Sequence, residues 1–351
     1  MYLEFYHLRE YPFTLACDPR FLYFSGEHRE AMAGLRYGLR ERKGAMLLVG
    51  QPGTGKTTLL AAVLERLPGG VVARALDTPL HATPEAALAA VLSGFGLLTG
   101  AGPGVAAGPG CKSAGARAPR HPLDARPSRG PLEPQPGPRL QTAGGGGLSA
   151  MMMRLRGYLD ERQRAGECVL LVIDEAQDLN PLVLEQIRLL TNLEAGGHKL
   201  LQIILSGQPE LSAHLRHSNG RSLDQRIAVR CRLEALSAAE TAAYIAARLE
   251  QAGATTPLFT PSAMARIYGL TGGVPRLINL IADHCLLAGY AVRAACVEVE
   301  LVERAGRQLE LAPAPARAGV AAAAMAAKRA PMLQRFASGW ARWAGLAAGG
   351  K

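Results

Sequence analysis

Aromatic residues are scarce, 5% of 351 positions, while glycine alone takes 40. That composition suits a helix-rich α/β protein better than a β-sandwich. The six cysteines (Cys17, Cys111, Cys168, Cys231, Cys285 and Cys296) are scattered and never form a Cys-x-x-Cys pair. They read as ordinary thiols of a reducing compartment, not as a disulfide framework or a zinc site. No run of 18 apolar residues occurs, so no bilayer-spanning helix is expected. The opening MYLEFYHLRE lacks the basic start and apolar core of a signal peptide. A cytoplasmic place is expected, with peripheral contact at the inner membrane as the limit of membrane association. A basic body is missing too, despite a net charge of +10. Positions 100–147 hold six Lys/Arg against two Asp/Glu, and positions 311–351 hold six against none. These two stretches carry the whole excess, so a nucleic-acid groove in the folded body is not favoured.

Apolar residues make up 48% of the chain, enough for a substantial core, and the length predicts two packed units plus tails. The apolar run Ala45-Met46-Leu47-Leu48-Val49 ends in a glycine loop and predicts a buried strand feeding a helix. Before it, Met32, Leu35 and Leu39 fall at helical spacing, with Gly44 the expected C-cap. Further strands are predicted over 71–76, 168–173 and 200–205, and helices over 84–95, 151–164 and 182–193. Alternating strands and helices predict an α/β fold, a parallel sheet flanked by helices. From about 236 the pattern is helical only. The expected organisation is an N-terminal segment (1–43), an α/β core (44–235), a small all-α subdomain (236–310) and a basic Ala/Pro tail (311–351). Positions 100–147 hold 12 Gly and 9 Pro and read as a disordered insert. In the tail, Met332, Leu333, Phe336, Trp340 and Trp343 share a helical face, which suits a membrane surface or a partner; a weakly ordered tail is the competing reading.

The chemistry is concentrated in two motifs. Gly50-Gln51-Pro52-Gly53-Thr54-Gly55-Lys56-Thr57, followed by Thr58, is a complete Walker A loop. Glycines let backbone N–H groups converge on phosphate oxygens, and the following helix presents its positive end to the same anion. Lys56 is suited to the β/γ phosphates of ATP and Thr57 to Mg²⁺. Downstream, the apolar run 169–173 ends in Asp174-Glu175. That predicts Asp174 beside the metal and Glu175 polarising the attacking water, the two motifs meeting at adjacent strand tips. Gln208 follows a strand where a side chain can hold the attacking water; a turn residue before Pro209 is the competing reading. Arg226 suits an arginine finger reaching a neighbouring subunit, or a surface ion pair. Arg276 opens a helix, where the dipole disfavours cations, and this favours a role at the nucleotide.

Walker A, Asp174-Glu175-Ala176-Gln177, SGQPEL, Gln225-Arg226-Ile227 and GGVPRLIN resemble, in that order, AAA+ ATPases. The opening FYHLREYPFTLACDPRFLYFSGEHREAMAGLRYGLRE is similar to the start of the general secretion pathway protein A family. Relatives of that family serve pilus biogenesis and exosortase-linked exopolysaccharide loci. The resemblance covers about 1–98 and 148–300. It implies ATP turnover by Lys56, Thr57, Asp174 and Glu175. It also implies sensor 1, arginine finger and sensor 2 positions at Gln208, Arg226 and Arg276, and a place near the adenine for 21–28. The insert departs from the family pattern. Secretion-type members also carry a transmembrane helix and a peptidoglycan-binding region after the ATPase module; neither stands in this sequence.

The expected function is an ATPase, with ATP and Mg²⁺, that forms a homo-oligomer. It drives or regulates an envelope secretion or exopolysaccharide-export machine through a protein partner of that complex. The alternative is a nucleotide-gated DNA-binding regulator of the transposition or origin-recognition type, against which the neutral body speaks.

Overall fold

The computed structural model describes residues 2–76, 83–98, 147–216 and 221–311, with the side chain of Arg221 set aside. The insert before Gly147 and the tail beyond Leu311, including its expected amphipathic helix, lie outside the described residues. The chain divides into two compact units. One is Cys17–Glu234; the other joins the residues up to Ala16 with those from Ala235 onward.

A single helical turn, α1 (Tyr2–Phe5), belongs to the second unit. The first unit then runs α2 (Gly26–Arg40), β1 (Ala45–Gly50), α3 (Lys56–Glu65), β2 (Val71–Leu76), α4 (Pro84–Gly94), α5 (Leu148–Arg164) and β3 (Cys168–Ile173). It continues through α6 (Pro181–Leu190), β4 (Glu194–Ala195), β5 (His198–Lys199), β6 (Leu201–Gly207), α7 (Pro209–Arg216), α8 (Arg221–Asp224) and β7 (Ile227–Leu233). The five long strands form one sheet in the order β2-β3-β6-β1-β7, every pairing parallel. Every residue of β3 and β6 is buried, as expected of central strands covered on both faces. Successive residues point to opposite faces, and two apolar clusters follow from that. Leu47, Leu171, Ile203 and Leu205 pack with α4 and α6, while Met46, Leu170, Val172 and Ile204 pack with α2 and α3. Each such side chain contributes about 1.5–3 kcal/mol by leaving water.

Four details differ from the sequence reading. The helix α2 ends at Arg40 with Glu41 as its C-cap, and Gly44 (φ +85°) instead turns the chain into β1. The helix α5 begins at Leu148, a turn earlier than its apolar pattern suggests. The helix α6 stops at Leu190, after which β4 and β5 make a hairpin around Gly196 and Gly197, both at positive φ. The strand β7 adds to the elements expected from sequence: Ile227, Val229, Cys231 and Leu233 alternate with Ala228, Arg230 and Arg232. Its burial follows that alternation, as an edge strand should.

The second unit holds α9 (Ala238–Gln251), α10 (Pro261–Thr271), α11 (Pro275–Ala291) and α12 (Val299–Gln308). Ser237 and Glu240 close a capping box on α9, and Thr260 caps α10 ahead of Pro261. The opening residues are tied in by polar contacts. The buried Arg248 guanidinium donates to the Pro12 carbonyl and, at 2.8 Å, to the Tyr244 hydroxyl. Tyr244 in turn donates to Asn279, whose amide reaches the Thr14 carbonyl at 3.3 Å. Between α10 and α11 Gly273 sits at φ +78°, and its carbonyl accepts from the Leu236 N–H at 2.8 Å. A Cβ there would lie 1.8 Å from the Leu236 oxygen, so only glycine fits. Among the described residues no helix is long and apolar enough to cross a membrane.

Candidate nucleotide site

The strand β1 delivers its last residue, Gly50, to a loop that closes at Gly55, the N-cap of α3. Gly53 and Gly55 take φ of +79° and +94°, a region that side chains rarely adopt. Gly55 supplies no side-chain cap, so the first turn of α3 presents its N–H groups to the loop. Thr54 is fully buried and its hydroxyl donates to the Gln51 carbonyl at 2.8 Å, bracing the loop. Gln51 and Pro52 are exposed on its outer side. His28, also buried, supports the loop from beneath. Its Nδ1 pairs with the Ser25 hydroxyl at 2.7 Å and its Nε2 lies 3.2 Å from the Thr54 carbonyl. A carbonyl only accepts, so Nε2 carries the proton at that contact.

Lys56 is 5% exposed, and its ammonium donates to the carbonyls of Gly50 (2.9 Å) and Gln51 (3.3 Å). Burial lowers its pKa; the nearby carboxylates of Glu175, Asp174 and Glu210 oppose that shift. The Thr57 hydroxyl donates to Asp174 Oδ2 at 2.7 Å, so the two motifs meet. They do not lie on adjacent strands, as the sequence reading expected: β6 runs between β1 and β3. One intervening strand sets their tips roughly 10 Å apart. The loop and the first turn of α3 project past the end of β1, and the Thr57 and Asp174 side chains close the remaining distance.

Glu175 follows in the left-handed region (φ +50°, ψ +38°) and heads a short 3₁₀ turn, Ala176–Asp178. The Asp174 Oδ1 accepts from its N–H at 3.0 Å. A glutamate held there costs about 1–2 kcal/mol in backbone strain, and such outliers gather at functional sites. Gln208, half-buried, comes directly after β6 and therefore between the β1 and β3 tips. The Thr58 hydroxyl lies 3.7 Å from the exposed Cys17 thiol. Arg226 is exposed between α8 and β7. The carboxyl of Glu194 sits below its usual pKa through its hydrogen bond to Lys199, with Arg226 adding to the effect. Arg276 is exposed in the first turn of α11, within the helical unit. Among the described residues no group of three or more His, Cys, Asp and Glu is arranged to hold a metal ion by itself. One hydroxyl and one carboxylate still suit magnesium, a hard cation that keeps waters and takes its other ligands from substrate phosphates.

Two residues of the site do work that their motifs do not announce. His28, in the stretch that the resemblance puts near the adenine, braces the loop through Ser25 and the Thr54 carbonyl. Gln177 was quoted in a motif, yet it bridges Glu175 and Gln208.

A glycine loop at the head of a parallel sheet, with an acidic strand tip beside its Thr57, defines an α/β P-loop nucleotide-binding protein. The profile of the AAA domain family matches residues 39–215, half of the chain, and the chain belongs to that family. It is 39% identical over 292 residues to General secretion pathway protein A of Aeromonas hydrophila, which covers 83% of this chain and 45% of the relative. The chain thus spans less than half the length of that relative. In fold it is similar to the Aeropyrum pernix ORC2 protein in its ADPNP–ADP complexes (TM-score 0.53, 15% identity, 84% of this chain and 72% of that one). The Cdc6p of Pyrobaculum aerophilum is similar to the same degree (TM-score 0.53, 15% identity, 84% and 71%).

Proposed function

We propose that this chain is an ATPase that hydrolyses ATP to ADP and phosphate, acts as a homo-oligomer, and serves an envelope secretion or exopolysaccharide-export machine. The observation that carries the reading is the 2.7 Å contact of Thr57 with Asp174, with Glu175 next in the chain. Thr57 and Asp174 would hold magnesium, which, when bound, neutralises charge on the phosphates. Lys56 exchanges its two loop carbonyls for the β/γ phosphates, whose charge favours its protonated form. Glu175 accepts a proton as the water oxygen bonds to the γ phosphorus and the bond to the β–γ bridging oxygen breaks. The proton then passes to solvent. Gln208 orients that water, Arg276 contacts the bound nucleotide, and Arg226 reaches the site of a neighbouring subunit. The name of the Aeromonas relative supports the envelope role.

The test is a steady-state ATPase assay on the purified chain beside a nucleotide-binding titration. Lys56→Ala is expected to lose binding, and Glu175→Gln to bind normally but not turn over. Equal rates in the wild type and Glu175→Gln refute the mechanism.

A further inference from the structure

The Gln177 amide is engaged at both ends. Its Nε2 lies 2.9 Å from Glu175 Oε2 and 3.2 Å from Asp178 Oδ2, and its Oε1 accepts from the Gln208 N–H at 3.0 Å. The partners fix which end is which. A backbone N–H can only donate and a carboxylate can only accept, so the opposite orientation would lose every contact. Two N–H donors meet two carboxylates, and the carbonyl meets one N–H.

The backbone is shaped around this side chain. The left-handed conformation of Glu175 folds the chain back, so that a residue two positions on faces the Glu175 carboxylate. On the other side, a Cβ at Gly207 would lie 2.8 Å from Gln177 Oε1 and 3.2 Å from the Gln177 nitrogen. The tip of β6 approaches Gln177 this closely only because residue 207 has no side chain. Strain at one strand tip and a missing side chain at another converge on a single amide.

We propose that Gln177 is a positioning residue that holds the Glu175 carboxylate and the backbone of Gln208 in one frame. The water-activating group on the β3 tip and the residue at the β6 tip then move as a unit. The proposal rests on the ATPase reading above and adds to it a side chain that touches neither phosphate nor metal.

Three variants of the full chain test it. Gln177→Ala removes all three contacts. Gln177→Glu keeps an acceptor for the Gln208 N–H and removes the donors to Glu175 and Asp178. Gly207→Ala keeps the Gln177 amide but sets a Cβ 2.8 Å from its Oε1 and 2.9 Å from Leu211 Cδ2, so the amide must shift. In each, kcat for ATP is expected to fall about ten- to a hundredfold, the effect of losing a hydrogen bond to a charged group. KM for ATP and the Kd of a fluorescent ATP analogue stay within about twofold, because Lys56 and Thr57 are unchanged. Melting temperature, read alongside, separates positioning from misfolding. Unchanged kcat in Gln177→Ala and Gln177→Glu, or a rise in KM at constant kcat, overturns the proposal. Glu175→Gln, run in parallel, tells the two readings apart. If it turns over like the wild type, the ATPase mechanism itself falls; if it is inactive while the Gln177 variants are not, only the positioning role does.

Discussion

Gly273→Ala isolates the cost of one close backbone approach. At φ +78° the residue lies where a side chain costs about 1–2 kcal/mol for conformation alone. The added Cβ would stand 1.8 Å from the Leu236 carbonyl oxygen and 2.8 Å from its carbon, and backbone atoms cannot rotate aside as a side-chain end can. The turn must open, and the Leu236 N–H to Gly273 bond, worth about 0.5–1.5 kcal/mol, opens with it. Leu236, 2% exposed, also loses packing. A total loss of about 3–5 kcal/mol follows. Gly196→Ala is the control. It sits at φ +59° with nothing within 4 Å of its Cβ, so it carries only the conformational cost, about 1–2 kcal/mol. Far-UV circular dichroism of the full chain in urea and on heating reads both variants. For a unit of this size each kcal/mol moves the midpoint by about 4–8 °C, so Gly273→Ala should lower the helical transition by more than about 12 °C. A loss no greater than that of Gly196→Ala refutes the reasoning.

Burial pushes the thiols of Cys231 and Cys285 up to about 12 from 9.0. A raised folded-state value means stability that is complete below about pH 9 and lost as pH climbs toward 12, by about 1.4 kcal/mol per thiol at pH 10. Cys285→Ala should flatten that decline in urea titrations between pH 9 and 11, and an unchanged slope counts against it. Arg248→Met keeps the apolar stem but loses the Pro12 and Tyr244 contacts. It should cost about 2–4 kcal/mol and speed proteolysis within residues 9–16; wild-type resistance to cleavage would show that the contacts do not hold the segment. Thr57→Val should raise the Mg²⁺ concentration needed for half-maximal turnover about ten- to a hundredfold; an unchanged requirement counts against Thr57 as a ligand. If Arg226 acts across a subunit boundary, the ATPase rate per chain rises steeply with protein concentration, and Arg226→Ala abolishes the rise.

Much of the α/β unit was legible because its signals are local. The strand Cys168–Ile173 is an unbroken apolar run, Val71–Leu76 is apolar apart from Arg74 and follows Gly69-Gly70, and the loop before Lys56 announces itself by glycine spacing. The strand Ile227–Leu233 is harder to read because Arg230 and Arg232 break up its apolar residues, though their period of two survives. Strand order is not written in any short segment, so the expectation of adjacent tips for Thr57 and Asp174 had no local check. Side-chain placement beyond a motif is harder still. Nothing near Gln177 says that its amide will meet the N–H of Gln208, 31 positions on. The tie between Pro12 and Arg248 spans 236 positions and is visible only once the chain has folded.

That last tie bears on the order of synthesis. The first sixteen residues emerge from the ribosome more than two hundred positions ahead of the helices that receive them. Until those helices are made, Tyr2, Tyr6 and Phe13, buried in the folded chain, lack the surface that covers them. The helical unit closes only when the two ends of the described chain are brought together.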